Sequence, residues 1–257
     1  MKGESIVPES KVNTLSHLKP GVRPIMACVG ERSHFKRGDY VGGGERMEIF
    51  QNYDLAANAA KNNTNVDYYG NPDELERNGF KNRGKGSFTI SPVNNLDKFS
   101  GSYRNCTGVI VAGIDRKTGE NISLLSHQDP EYFLTSDDQK QRFVTDLEER
   151  LEELKDRCES GTIDAIILGG NYFQDVNTHG RKYATDYLDS VKLLSSEITK
   201  TLGFEPTVIT GPKMLGGDDN SFYDNKNRRL YLSRPKVGEA STGSYQSTDI
   251  THKEKEW

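Results

Sequence analysis

The chain holds 257 residues, of which 33% are hydrophobic and 28% charged, with a formal net charge of -4 and a mean hydropathy of -0.76. That length supports one sizeable core with a polar extension better than two equal domains, and the low apolar share implies segments that bury little. The negative balance gives no bulk attraction to a phosphate backbone, no local basic patch compensates for it, and no apolar run is long enough to span a bilayer or form a signal peptide, so neither nucleic acid nor membrane is expected as a partner and the protein reads as soluble.

Residues 1–97 are rich in Asn, Gly, Lys and Arg and read as a polar N-terminal extension. Within them Ile25 to Val29 forms a short apolar island containing Cys28, and Arg46 to Lys61, with Ala56, Ala57, Ala59 and Ala60, predicts a short helix. Turn-formers surround it, among them Gly42-Gly43-Gly44 and Tyr69-Gly70-Asn71-Pro72. From residue 98 the pattern changes to short apolar runs alternating with amphipathic stretches, and 98–235 is the expected catalytic domain. Thr107 to Ile114 and Ile122 to Ser126 predict two antiparallel strands joined across Asp115 to Asn121. Phe143, Leu147, Leu151, Leu154 and Cys158 recur at helical spacing up to Gly161, with Glu148, Glu149, Glu152 and Glu153 on the other face as a solvated surface. Ile163 to Leu168 is a buried strand ending in Gly169-Gly170. Tyr187, Val191, Leu194, Ile198 and Leu202 form a second helix closed by Gly203, and Thr207 to Thr210 and Arg228 to Ser233 are closing strands. The fold class that follows is α+β, with central mixed β-sheets in a sandwich-like arrangement flanked by helices. The polar tail 236–257 is expected to be disordered.

Three widely spaced cysteines, Cys28, Cys106 and Cys158, form neither a disulfide scaffold nor a zinc motif. Cys158 lies on a helical stripe and Cys28 in an apolar island, so both read as small core hydrophobes. Cys106 differs. It stands at the head of the first strand behind Tyr103-Arg104-Asn105, a strand edge within reach of solvent, and a hairpin folding about residues 116 and 117 returns His127 to its level. A thiol facing an imidazole suggests a cysteine nucleophile activated by histidine, because the thiolate is the reactive species. The bland alternatives are a packed thiol and a histidine capping the turn before Asp129-Pro130, and His179 is a rival base. Gly79, Gly84 and Lys85 lack the strand, helix start and hydroxyl of a phosphate loop. Gly216-Gly217-Asp218-Asp219 reads as a solvated turn, and no metal is implied.

In its order of parts the stretch from Phe99 to Arg234 resembles the CheD chemoreceptor glutamine deamidases and the related deamidating toxins, the cytotoxic necrotizing factor catalytic domain and Burkholderia lethal factor. In that family a Cys opens a strand, a His ends the next one, and a helix leads to an apolar strand with a diglycine, here Ile166-Ile167-Leu168-Gly169-Gly170-Asn171. The closing hairpin is similar to Gly216-Gly217 followed by Arg228-Arg229-Leu230-Tyr231-Leu232. The resemblance implies Cys106 as nucleophile, His127 as base and Ser100, six positions before the cysteine, as an assisting hydroxyl. It implies no cofactor and a protein substrate carrying a target glutamine, and the thiol chemistry needs donors to the developing oxyanion, for which the backbone N–H of Cys106 comes first and the Asn105 side chain second. The long region before residue 98 looks more like a toxin or effector, working in a bacterial cytoplasm or delivered to a host cytosol, than like the short CheD enzymes. Another thiol hydrolase or acyl transferase, or a non-catalytic binding module, are the alternatives.

Overall fold

The computed structural model describes residues 15–31, 41–51, 64–66, 71–81, 88–103, 105–171, 178–211 and 219–233. The strands are β1 (Met26–Glu31), β2 (Val41–Gly42), β3 (Met47–Gln51), β4 (Thr64–Asn65), β5 (Phe88–Ile90), β6 (Lys98–Tyr103), β7 (Thr107–Ile114), β8 (Asn121–Gln128), β9 (Asp164–Asn171), β10 (Thr207–Gly211), β11 (Asp219–Asp224) and β12 (Arg229–Ser233). The helices are α1 (Pro72–Arg77), α2 (Pro130–Phe133), α3 (Asp137–Arg157) and α4 (Thr178–Leu202). A 3-10 turn, Gly44–Arg46, leads into β3.

These strands make two mixed six-stranded sheets, a front sheet ordered β3-β1-β12-β11-β6-β4 and a back sheet ordered β2-β10-β9-β7-β8-β5. The two face each other across a shared core in which Ala27, Val29, Tyr223, Leu230 and Leu232 from the front meet Ile110, Ala112, Leu125, Ile166 and Leu168 from the back. On the other side of the back sheet α3 and α4 lay Phe143, Leu147, Leu151, Leu154, Leu194 and Ile198 against Val109, Val111, Leu124 and Ile167. The alternation along β7 explains this division, since successive side chains of a strand point to opposite faces. Both faces of β7 are covered, which is why it reads as an unbroken apolar run. The result is α+β, with two mixed sheets and flanking helices.

The region before residue 98 does more than embellish. β1 and β3 pair in parallel with each other and β1 pairs in parallel with β12, so residues from both ends of the described chain share the front sheet. The last two strands, β11 and β12, sit in the middle of that sheet, between β1 and β6. Residues 47–51 of the expected helix are strand β3, stabilised by that pairing over local propensity, and 52–63 lie outside the described residues. Among the described residues of this region the short α-helix is α1, started by Asn71, whose side chain accepts from the Asp73 N–H, with Pro72 at its first position.

A buried carboxylate fastens the early segment to the back sheet. Asp164, at the start of β9, accepts from the Ile25 backbone N–H at 2.7 Å, from Arg46 at 3.0 Å and bonds His17 Nε2 at 3.1 Å. Burial alone would raise its pKa, but His17, Arg46 and the Ile25 N–H outweigh burial and hold the carboxyl below its usual range. The acid face of α3 is solvated and ion-paired, Glu149 with Lys81, Glu148 with Lys200 and Glu153 with Arg150. The α3 helix ends at Arg157 with Cys158 as its C-cap, and Gly161 and Gly203 take positive φ after α3 and α4. The tail 236–257 and the Gly216-Gly217 segment lie outside the described residues.

Candidate functional site

The β7–β8 hairpin turns across Asp115 to Glu120, with Ile114 opposite Asn121 and Thr107 opposite Gln128. This register sets His127 across from Gly108, two residues beyond the alignment expected from a fold about 116 and 117. Cys106 and His127 are therefore diagonal neighbours, not a directly opposed pair. They still share a face, because residues 106, 108 and 110 point to one side of β7 and Ile110 lies in the core between the sheets, as does Cys106. A diagonal pair remains within reach of an aromatic-sized side chain.

Ser100 comes to His127 from the opposite sheet. Its Oγ lies 2.8 Å from His127 Nδ1 and 2.5 Å from the Val66 carbonyl oxygen. A hydroxyl has one proton, and the Val66 carbonyl can only accept it. The Ser100 oxygen must then accept from Nδ1–H, which fixes the neutral tautomer of His127 and leaves the lone pair on Nε2. A base of that form could take a thiol proton.

A bulge makes this approach possible. Along β6, Ser100 pairs with Ser221 and Tyr103 with Asp219, a shift that inserts one extra residue on β6. Residues three apart on a regular strand face opposite ways, but the bulge turns both Ser100 and Tyr103 toward the core. The Tyr103 ring stacks on the His127 imidazole with centroids 4.1 Å apart and planes 17° from parallel, and its hydroxyl donates to the Ser126 carbonyl oxygen at 3.1 Å. Two glycines leave room for it. A Cβ at Gly108 would come within 2.8 Å of the ring, and one at Gly169, where φ is +83°, within 2.8 Å of the ring and 2.7 Å of the Cys106 carbonyl oxygen. That carbonyl also accepts from the Gly170 N–H at 2.7 Å, so the diglycine at the end of β9 holds the backbone of Cys106 in place.

Behind the sheet, Gln128 Nε2 donates to Thr107 Oγ1 at 3.1 Å, and Thr107 Oγ1 lies 2.6 Å from Ser190 Oγ on α4. The residues immediately following Cys106 and His127 are thus tied to each other and to a helix.

Burial governs the electrostatics. Cys106 is 2% exposed and His127 1%, so the thiol lies in the core and not at a solvent-reached edge as the polar residues before it suggest. Burial lowers the His127 pKa to about 3, which keeps the imidazole neutral near pH 7. The resting imidazole is accordingly a neutral base. Burial pushes the Tyr103 phenol up, and the Ser100 and Ser221 hydroxyls partly offset that.

Of the expected site residues, the structure gathers Ser100 and His127 into contact and sets Cys106 on the same face one diagonal step away. Asn105 is half-buried beside Cys106. Asp129 accepts from the Glu131 N–H as the cap of α2, a structural use. His179 falls in the first turn of α4. Cys158 is buried, and burial together with Asp115 pushes its thiol up to about 12, as suits an inert core cysteine. Cys28 is buried beside Glu48 and Arg229 at 3.8 and 3.9 Å, a more polar setting than its apolar island suggested. Tyr103 is the residue that sequence reasoning missed. Its signal was a pair of glycines, Gly108 and Gly169, in otherwise apolar strands, since glycine inside a strand marks the close approach of another group. Among the described residues no cluster of three metal-ligating side chains occurs, and no helix is long and apolar enough to cross a membrane. No protein-family model and no curated protein sequence matches the chain.

Proposed function

We propose that the chain is a protein-glutamine deamidase, converting a glutamine side chain of another protein to glutamate with release of ammonia, in the manner of the CheD and cytotoxic necrotizing factor group. The observation that carries this reading is the Val66–Ser100–His127 relay, which leaves His127 Nε2 as a base on the face that bears Cys106. His127 takes the Cys106 proton, the thiolate attacks the carboxamide carbon, and the C–N bond breaks as His127 returns the proton to the departing ammonia. Water then hydrolyses the thioester. The Cys106 backbone N–H and the Asn105 side chain are the proposed donors to the developing oxyanion. No cofactor enters this chemistry.

The enclosure of the pair favours this substrate over a peptide bond. A peptidase lays main chain along an open groove, whereas Cys106 and His127 are almost wholly covered, so any substrate group that reaches them requires their cover to move aside. A target protein, with the region before residue 98 contributing recognition, fits a toxin or effector working in a bacterial or host cytosol. The test is to incubate a cell lysate with the wild-type chain and with Cys106→Ser, and to search for glutamines that gain about one mass unit. Gains that appear with wild type alone support deamidation, and equal patterns in both samples overturn it.

A further inference from the structure

We propose that Tyr103 is a positioning residue whose ring face holds the His127 imidazole in its productive plane and stabilises the imidazolium that forms when Cys106 gives up its proton. This inference rests on the deamidase reading of Cys106 and His127.

Four observations converge on it. The two rings lie nearly parallel at 4.1 Å, within the distance at which an aromatic face attracts a cation. The phenol is pinned at its far end to the Ser126 carbonyl oxygen, one residue before His127, so ring and imidazole are referenced to the same strand. Glycine at both 108 and 169 clears the space that the ring occupies. The bulge in β6 has as its consequence that Tyr103 and Ser100 reach His127 together, one against the ring plane and one along Nδ1.

The physical need is plain. An imidazole buried so completely resists protonation, yet the proposed reaction requires it to carry a proton from the thiol to the leaving ammonia. Among the described residues, Tyr103 on β6 stacks on it and Cys106, at the head of β7, lies diagonally from it in the register of β7 and β8. The neighbouring strand β5 places Thr89, which is neutral, alongside it. Asp219 lies opposite Tyr103 in the register of the front sheet, and the Asp129 side chain caps α2. A ring quadrupole is a means of favouring transient positive charge here without burying a permanent negative one, which would itself be costly.

The experiment follows Cys106 alkylation by iodoacetamide in the full chain, read peptide by peptide by mass spectrometry, across the pH range in which thiols titrate. Tyr103→Leu, which fills space without a π face, is expected to lower the neutral-pH rate about tenfold or more and displace the profile to higher pH. Tyr103→Phe should restore most of the rate. Because Tyr103→Leu could fail to fold, pentafluorophenylalanine is also incorporated at position 103. It keeps the shape and reverses the quadrupole, and should slow the reaction relative to Tyr103→Phe. His127→Ala separates the two levels of the argument. If His127→Ala shifts the profile but a folded Tyr103→Leu or the fluorinated ring does not, the role of Tyr103 is overturned while the dyad stands. If His127→Ala leaves the profile unchanged, both fall.

Discussion

Ser100 Oγ and His127 Nδ1, 2.8 Å apart, join the front sheet to the back sheet between β6 and β8, each one strand in from the edge of its sheet. Replacing Ser100 with Ala removes the acceptor for Nδ1–H and leaves the buried Val66 carbonyl without its donor. Deamidation should fall by roughly 10²-fold, the scale of losing one catalytic hydrogen bond, and stability by ~1–3 kcal/mol. Ser100→Thr should recover most of both. Initial rates together with thermal melts of the two variants decide the matter, and an unaffected rate in Ser100→Ala would remove the hydroxyl from the mechanism.

Cys106→Ser should abolish deamidation and leave folding and target binding intact. A serine hydroxyl is a far poorer nucleophile than a thiol at neutral pH, and His127 cannot change that ordering. A pull-down with the variant should enrich the target protein, and ammonia release at the wild-type rate would refute the assignment of the nucleophile.

Stability should fall as the solution is acidified through the window between the ordinary histidine pKa of about 6.5 and the depressed value of about 3. In that interval the unfolded chain binds a proton at His127 and the native protein does not, so each pH unit removes up to ~1.4 kcal/mol, and above the window the contribution is complete. Urea titrations at several pH values should show this slope in wild type and a shallower one in His127→Gln. Equal slopes would mean that the imidazole is protonated in the native state.

Cys158→Ala should cost about 1–2 kcal/mol and leave activity unchanged, as a small truncation in the core does. The thiol packs against Gly113, where a Cβ would stand 2.5 Å from its sulfur, and its raised pKa makes it slow to alkylate. Loss of activity with an intact fold would place the nucleophile at the wrong cysteine.

Asp164→Asn should destabilise by ~3–5 kcal/mol, because it leaves the buried Arg46 guanidinium without its carboxylate. Denaturant unfolding measures this directly. A loss below about 1 kcal/mol would show that the Asp164 cluster is not what fastens the early segment to β9.

What the sequence displayed was whatever has a local period. β7, β8 and β9 announce themselves as apolar runs, and α3 and α4 by their 3.6-residue stripes, although α3 begins at Asp137, six residues before Phe143, α4 at Thr178, nine before Tyr187, and β9 runs three residues past Leu168. The front sheet was much harder to see. Lys98–Tyr103 is polar and glycine-containing, and β1 and β3 are short and pair in parallel with partners that no local pattern identifies. The Ala-rich stretch beyond Gln51 drew Met47–Gln51 into a helix on propensity, and the long-range pairing of β3 with β1 overrode it. At the candidate site, Cys106 and His127 were visible from strand ends alone, whereas their diagonal offset depended on a turn whose register the residues 115–121 do not dictate. Tyr103 was hidden because only a bulge brings it inward, and a bulge is visible only from the partner strand.

The central position of β11 and β12 bears on how the cell makes this protein. A ribosome delivers the chain from its N-terminus, so β1 and β6 emerge long before the two strands that must insert between them. Until residues 219–233 are free, β6 has no β11 to hold its bulge, and Ser100 and Tyr103 have no fixed stance over His127. The nascent polypeptide therefore carries its thiol and imidazole through most of synthesis without the partners that would make them work together. If the pair performs the proposed deamidation, competence arrives only with β11 and β12, and a translation product truncated before residue 219 should release no ammonia.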